Sequence, residues 1–499
     1  LPKLFSRKTE QLGAAMKIAI DRESGVPMTE QIVSSMEQWI RSRDAHAGAK
    51  LPSIRQLAQD CGISRFPVIE AYDRLVSLGY IESRHGSGFY VSARAHAALD
   101  RCGASDPRRA EDESNYILQQ FNHPGDTLKL GSGFIPEAWR DMDGIAQAVR
   151  QVARTDQSAL TDYATPLGSG ALREHLQARL APLGIRADAS QMLITFGASQ
   201  AVDLIVRYLL RAGDTMFVED PGYYNLFGLL KLHGINVVGI PRTVSGPDIE
   251  VLQAELKRHR PRAVFVNSVF HNPTGTVLAP AVAFRLLQLA HEYDFTLIED
   301  DIYADFQGEA TDRLAALDQL ERVVYIGGLS KTLSSSLRIG FVAASRRIVK
   351  DLGDIKMLTS ISGSPFAEAV ALTMLERGAY RKFLERLRRR MSDALGATTR
   401  SLEASGWRLF ASPVGGKFVW ARVPHIDDQQ QLIDCAAACG VTIAPGSYFR
   451  PHGEPSPWLR INAAYAQDPR ALRFFERAAA LEPNDDTPSA REGAMTLFD

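Results

Sequence analysis

Four cysteines in 499 residues, at positions 61, 102, 435 and 439, are too few and too scattered for a disulfide framework, and none forms a CxxC pair. Cys435 and Cys439 share an Ala-rich, helix-like run with no histidine beside it, so the expectation is buried or idle thiols in a reducing compartment and no metal site. No apolar run approaches the roughly 20 residues that a membrane span requires. The opening Leu1-Pro2-Lys3 has charge but neither an apolar signal core nor a cleavage site, which makes the cytoplasm the expected location. Charge of one sign is also missing: 57 Lys and Arg stand against 58 Asp and Glu, a formal net of -1. Residues 1–100 carry 13 Lys and Arg against 11 Asp and Glu, only two charges in excess. Bulk basicity therefore cannot draw nucleic acid to this chain, and any DNA binding must come from where the charges sit.

What is present exceeds one hydrophobic core, and the composition changes along the chain in a way that suggests five parts. These are an extension at 1–25, a compact helical unit at 26–92, a linker at 93–128, a large domain at 129–483 and a polar tail at 484–499. In the compact unit, Ile32, Met36, Trp39 and Ile40 recur at helical spacing within 28–43. Leu51-Pro52-Ser53 ends one helix and starts another, with Ser53 as N-cap for Ile54–Asp60. Gly62 breaks that helix, and Ser64 can cap the next, which carries Val68, Ile69, Tyr72 and Leu75, with Pro67 tolerated in its first turn. Two short strands, Tyr80–Ser83 and Phe89–Val91, then flank the Gly-tipped turn Arg84-His85-Gly86-Ser87-Gly88.

Helix, turn, helix and hairpin in that order is the layout of a winged helix-turn-helix, whose second motif helix enters the major groove of DNA. Ser64 and Arg65 would open that helix, Arg55 would lie near phosphates, and Arg84, His85 and Gly86 would form a wing able to approach the sugar-phosphate edge. A three-helix domain with merely solvated arginines shares this topology. The run LPSIRQLAQDCGISRFPVIEAYDRLVSLGYIESRHGSGFYV separates the two, because it resembles the DNA-binding module of the GntR regulators in several spaced motifs. Phe66-Pro67 departs from the Asn-Thr of many relatives.

From about residue 129, apolar strand-like runs alternate with helical ones: Met192–Thr195, Thr215–Glu219, Ala263–Asn267, Thr296–Glu299 and Val323–Ile326. That rhythm predicts an α/β domain with a largely parallel sheet wrapped by helices, and residues 400–480 read as a smaller lobe. Chemistry-bearing residues follow several of these runs. Lys331, in Gly327-Gly328-Leu329-Ser330-Lys331-Thr332, can form a Schiff base with an aldehyde if neighbours lower its pKa, and Arg338 can grip a phosphate. Leu297–Tyr303 ends a strand in Asp300 and Asp301, either of which could instead be a strand-end cap, and Tyr303 follows. Asn272 lies in the turn His271-Asn272-Pro273-Thr274-Gly275, and Thr195–Gln200 closes a strand and opens a helix with free N–H groups suited to phosphate. Tyr223 or Tyr224 offers a ring to stack on a flat cofactor, and Arg460 stands between apolar neighbours, as an Arg that meets a carboxylate would.

The order and spacing of these segments over roughly 130–480 resemble the pyridoxal-phosphate aminotransferases of the aspartate-aminotransferase fold. The resemblance implies fold type I with a smaller C-terminal lobe and pyridoxal 5'-phosphate as cofactor. It gives Lys331 as the Schiff-base lysine, Asp300 as partner of the pyridine nitrogen, Tyr303 and Asn272 on the phenolate oxygen, and Tyr223 as the stacking ring. Gly197, Ala198, Ser330 and Arg338 match the phosphate cradle, Arg460 the carboxylate clamp, and Tyr163 the tyrosine that reaches a neighbouring subunit's phosphate. Gly328 stands where relatives often use a Ser on the phosphate.

A GntR-type module ahead of an aminotransferase-like domain is similar to the MocR/GabR regulators. That likeness implies a homodimer, often head-to-tail, that binds double-stranded operator DNA and answers to an amino acid, an amine or the cofactor. A working aminotransferase with a DNA-binding head is the competing expectation, and Asn272 is the enzyme-like choice where many such regulators carry His-Gln-aromatic-Pro. A cofactor reservoir without DNA function leaves the intact wing unexplained.

Overall fold

The computed structural model describes residues 18, 20–21, 27–41, 48–77, 79–84, 87–92, 127–308 and 311–483. The proposed extension apart from Ile18, Ile20 and Asp21, most of the linker, the tail, Cys102, His85 and Gly86 lie outside them. The described chain forms two compact units.

The first unit holds α1 (Met28–Arg41), α2 (Ile54–Asp60), α3 (Arg65–Ser77), β1 (Ile81–Arg84) and β2 (Gly88–Val91). Ser53 caps α2 by accepting from the Gln56 amide at 3.2 Å, satisfying one of the helix's orphan donors. Ile32, Met36 and Ile40 of α1 meet Val68, Tyr72 and Leu75 of α3 in a fully buried core. Tyr72 reaches beyond it, donating to the Pro52 carbonyl at 2.8 Å and meeting Phe89 of the hairpin edge-on at 4.8 Å. The hairpin pairs Ile81 with Val91 through Arg84 with Gly88, and Lys50 bridges to Tyr90 on its far side.

The second unit is built on eight strands: β3 (Met192–Phe196), β4 (Thr215–Asp220), β5 (Asn236–Thr243), β6 (Gly246–Pro247), β7 (Ala263–Asn267), β8 (Thr296–Asp300), β9 (Val323–Gly328) and β10 (Ile339–Ala343). Their order is β3-β10-β9-β8-β7-β4-β5-β6. The run from β9 to β5 is parallel, while β10 is antiparallel to both β9 and β3. All residues of β7 and β10 are buried, as expected for strands covered on both faces by helices. The smaller lobe is an antiparallel sheet, β11 (Arg408–Leu409), β12 (Phe418–Arg422), β14 (Leu459–Asn462) and β13 (Ala444–Pro445), reached through the long helix Gly378–Ala404. The segment at 128–131 runs beside this lobe: Leu128 pairs with Val441, and Gly131 donates to the Thr442 carbonyl.

Candidate functional site

β3, β4, β7, β8 and β9 run in one direction, so their carboxyl ends open on one edge of the sheet, where α/β folds place their ligands. Just past those ends come Gly197, Tyr223, Asn272, Tyr303 and Lys331, with Asp300 closing β8. Lys331 is half-buried. Desolvation lowers its pKa to about 8, with Arg460 and Arg338 pushing the same way and Asp300 opposing. Asp300 is buried, which raises its carboxyl to about 7, and Asp301 and Glu219 add to the rise; the Ile302 amide and Lys331 oppose it. The two shifts run towards each other, the lysine down and the carboxyl up, as suits groups that exchange protons near neutral pH.

Asn267 ties two of these strand ends together. Its amide donates to the Asp300 carbonyl at 2.7 Å and its oxygen accepts from the Asn272 amide N–H at 2.7 Å. Glu219 accepts from the Asn267 N–H at 2.7 Å and pairs with the buried Arg242. Asn272 Oδ1 is taken by Arg460 Nη1 at 2.8 Å, which leaves the Asn272 NH2 as the end that donates. Tyr303 is buried, and desolvation holds its phenol well above the usual range, with Arg460, Asp300, Tyr223 and Tyr224 all facing it. Tyr223 is partly buried and also faces Asp300.

Arg460 is 1% exposed and lies over the rings of Phe418 (4.4 Å) and Phe449 (4.8 Å). It donates to Asn272 and to the Gly131 carbonyl at 2.7 Å, while its Nε has no partner, and no carboxylate among the described residues pairs with it. A buried guanidinium without an anion is costly unless a ligand brings one.

Beside β3 a guanidinium is packed against glycine backbone. Gly197 has φ +73°, and a Cβ there would lie 2.4 Å from Arg338 Nη2; one on Gly340 would strike the Gly197 and Ala198 backbone. The guanidinium therefore rests on bare backbone at the start of the helix Gly197–Leu209, whose first N–H groups are unpaired within the helix. Ser330 Oγ is buried without a partner, as a donor awaiting an acceptor would be. These residues fit a phosphorylated aldehyde cofactor. A separate cavity of about 500 Å³ backs onto Gly327–Leu329. Its Asp305 is already held by Arg179 and, at 2.8 Å, by the Thr332 hydroxyl, so it braces the lysine loop.

Sequence reasoning missed Asn267, Gly340 and above all Lys417, which is 1% exposed and donates to the Gly133 carbonyl. Tyr163 is 80% exposed and joins no part of this cluster. In the first unit, Arg55, Ser64 and Arg65 are exposed, and Arg65 opens α3. Phe66 beside it is 73% exposed. Arg84 is engaged, bonded to Glu82 at 2.7 Å and stacked over the Tyr90 ring at 4.4 Å.

Residues 125–477 match the family of aminotransferases of class I and II. The chain belongs to that family. Residues 28–91 match the gntR family of bacterial regulatory proteins, so a GntR helix-turn-helix domain precedes the aminotransferase domain, the architecture of the MocR-type regulators. The uncharacterized HTH-type transcriptional regulator YisV of Bacillus subtilis is 30% identical over 460 residues, covering 89% of this chain and 94% of that protein. The probable rhizopine catabolism regulatory protein MocR of Rhizobium meliloti is 27% identical over 472 residues, covering 91% and 94%. Among solved structures, Pyrococcus horikoshii kynurenine aminotransferase, in complex with PMP, superposes with a TM-score of 0.69 at 25% identity, covering 77% of this chain and 97% of that one. LysN, the alpha-aminoadipate aminotransferase of Thermus thermophilus, complexed with N-(5'-phosphopyridoxyl)-L-leucine, gives 0.68 at 26% identity over 75% and 95%. Layout and relatives together make this a transcription regulator of GntR type fused to an aminotransferase-like domain. Among the described residues no helix is long and apolar enough to cross a membrane.

Proposed function

We propose that this regulator binds pyridoxal 5'-phosphate at Lys331 and responds through it to an amino acid or amine, changing how its winged helix engages operator DNA. The observation that carries the reading is a pair of buried donors without partners, Ser330 Oγ next to Lys331 in the chain and Arg460 Nε of a guanidinium whose charge acts on that lysine, whose pKa is brought down to about 8. Pyridoxal phosphate supplies an aldehyde that condenses with amines and a ring that withdraws electrons. Arg338, Ser330 and the backbone at Gly197 and Ala198 would hold its phosphate, Asp300 the proton of its ring nitrogen, and Asn272 and Tyr303 its ring oxygen, with Tyr223 against its face. Lys331 would be the residue joined to it and the base that carries a proton. Arg460 would clamp the effector's carboxylate. In the first unit Arg65, Ser64 and Arg55 would face DNA. Arg84 would act through the wing, giving up its bond to Glu82 to meet a phosphate. Tyr163, exposed on one chain, would complete the phosphate site of a second copy in a homodimer.

The same donor set and lowered lysine support transamination equally, and Asn272 at the turn favours that second reading. One experiment separates them: the full chain loaded with pyridoxal phosphate is titrated with amino acids and amines while cofactor absorbance and operator binding are followed together. A spectral change that alters the DNA complex at slow or absent turnover supports the regulator. Sustained keto-acid production with no effect on DNA overturns it in favour of the enzyme.

A further inference from the structure

Lys417 has no role in the reading above. It follows Gly415-Gly416 and immediately precedes β12, buried beneath three aromatic rings: Tyr303 at 5.1 Å, Phe418 at 5.2 Å and Phe306 at 5.8 Å. Its ammonium has three donors, and only the Gly133 carbonyl takes one by hydrogen bond. No carboxylate among the described residues pairs with it, and the charged groups facing it are the cations Lys331 and Arg460. Arg460 and Lys417 flank the same Phe418 ring, at 4.4 Å and 5.2 Å from its centroid. Gly133, the carbonyl partner, is followed by Phe134, whose ring lies 5.9 Å from Lys331 Nζ.

A cofactor phosphate would meet Arg338, a ring nitrogen Asp300, and one effector carboxylate Arg460. Lys417 is left over, and burial with no anion beside it disfavours its charged form until one arrives. We infer, on the basis of the proposed function, that the effector is a dicarboxylic amino acid whose second carboxylate is held by Lys417. Burial and the neighbouring Lys331 and Arg460 push the Lys417 ammonium well below the usual lysine range. An arriving carboxylate reverses that, so the second carboxylate binds together with a proton. Its contribution weakens by up to about tenfold per unit of rising pH above the free-state pKa. Lys331 also titrates, but it meets both classes of amino acid alike, and Tyr303 stays protonated.

The test uses the full chain loaded with pyridoxal phosphate and compares L-glutamate and L-2-aminoadipate with L-glutamine and L-norvaline, by calorimetry and cofactor absorbance, between about pH 6 and about pH 8. The dicarboxylic probes are expected to bind about ten- to a hundredfold more tightly, as one charged hydrogen-bonded contact provides. That preference should shrink as pH rises, and Lys417→Met, of similar length and apolar, should bring it close to one. Equal affinities in the wild type, or a preference that Lys417→Met leaves intact, overturn the inference. If Lys417→Met does not fold, Lys417→Gln decides in its place: a preference that Lys417→Gln leaves intact overturns the inference. Silence of the cofactor spectrum towards every amino acid would sink the proposed function itself, a result distinct from equal affinities.

Discussion

Replacing Gly197 by Ala tests the phosphate cradle, because the space a methyl group needs there is the space Arg338 occupies. The backbone at Gly197 is left-handed, φ +73°, and the new Cβ would stand 2.4 Å from Arg338 Nη2 and 2.8 Å from its Cζ. Two costs follow. The left-handed conformation costs a non-glycine residue about 1–2 kcal/mol, which should appear as lost stability in the cofactor-free protein. The guanidinium must also swing away from the helix start, and a charged hydrogen bond to phosphate is worth about 1.5–3 kcal/mol. Pyridoxal phosphate affinity should therefore fall about ten- to a hundredfold. Gly328 is the internal control. A Cβ there meets nothing closer than 3.7 Å, so Gly328→Ser fits without strain. It restores a hydroxyl that related enzymes often place on the phosphate, and one neutral hydrogen bond, about 0.5–1.5 kcal/mol, should tighten cofactor binding by up to about tenfold. The assay is a spectrophotometric titration of cofactor-free protein with pyridoxal phosphate, with thermal melts alongside. Wild-type affinity in Gly197→Ala, or a larger loss in Gly328→Ser than in Gly197→Ala, would refute the placement of the phosphate beside β3.

Borohydride reduction of the yellow, cofactor-loaded protein should fix pyridoxal phosphate to Lys331, and mass spectrometry that finds the adduct on another lysine would dismiss the assignment. Stability of the cofactor-free protein should pass through a minimum between about pH 7 and about pH 8. Asp300, raised to about 7 from 3.8, gives the folded chain the extra proton and makes stability fall as pH rises through that range; Glu299, also raised to about 7, acts in the same sense. Lys331, lowered to about 8 from 10.5, gives the unfolded chain the extra proton and makes stability rise from 8 to 10.5. Asp300→Asn should flatten the acid limb and Lys331→Met the alkaline one, each by on the order of 2 kcal/mol, and mutant melting curves parallel to wild type would exclude this origin. Arg65→Ala should lose about 1–3 kcal/mol of discrimination between operator and random DNA with the cofactor spectrum unchanged, whereas unaltered binding to both removes Arg65 from the interface.

How much of this was legible in the sequence depends on how local each determinant is. Ser53 and α2, the apolar strands β3, β7, β8 and β9, and the loops bearing Asn272, Asp300 and Lys331 are all contiguous signals, so spacing and residue type reveal them. The β5 run is interrupted by Gly239, Pro241 and Arg242, and the antiparallel direction of β10 has no residue signature. The pairing of Arg84 with Glu82 could have been read, since residues two apart on a strand share a face. Lys417 could not. Gly415-Gly416-Lys417 reads as a polar turn, and only the packing of the small lobe brings Tyr303 and Phe306, more than a hundred residues earlier, over its ammonium.

The same distinction separates what motifs say from what charges say. Motifs name the atoms that a cofactor would meet, and they do so equally for an enzyme and for a sensor. Unanswered buried charge says what is still missing when those atoms have been satisfied. Asp301, Glu219 and Asp305 have cationic partners in Arg313, Arg242 and Arg179, so the interior pairs its acids where pairing serves the fold. Arg460 and Lys417, equally buried, have no anion among the described residues and interact through their charge with Lys331, which desolvation lowers to about 8. Had these two cations served only to hold the small lobe, an acid within their reach would have lowered the cost of burying them. They donate instead to the backbone, Arg460 to the Gly131 carbonyl and Lys417 to the Gly133 carbonyl. On the proposed reading the site would take an anionic guest, and the segment at 131–133, whose carbonyls accept from both side chains, is where its arrival would first be felt.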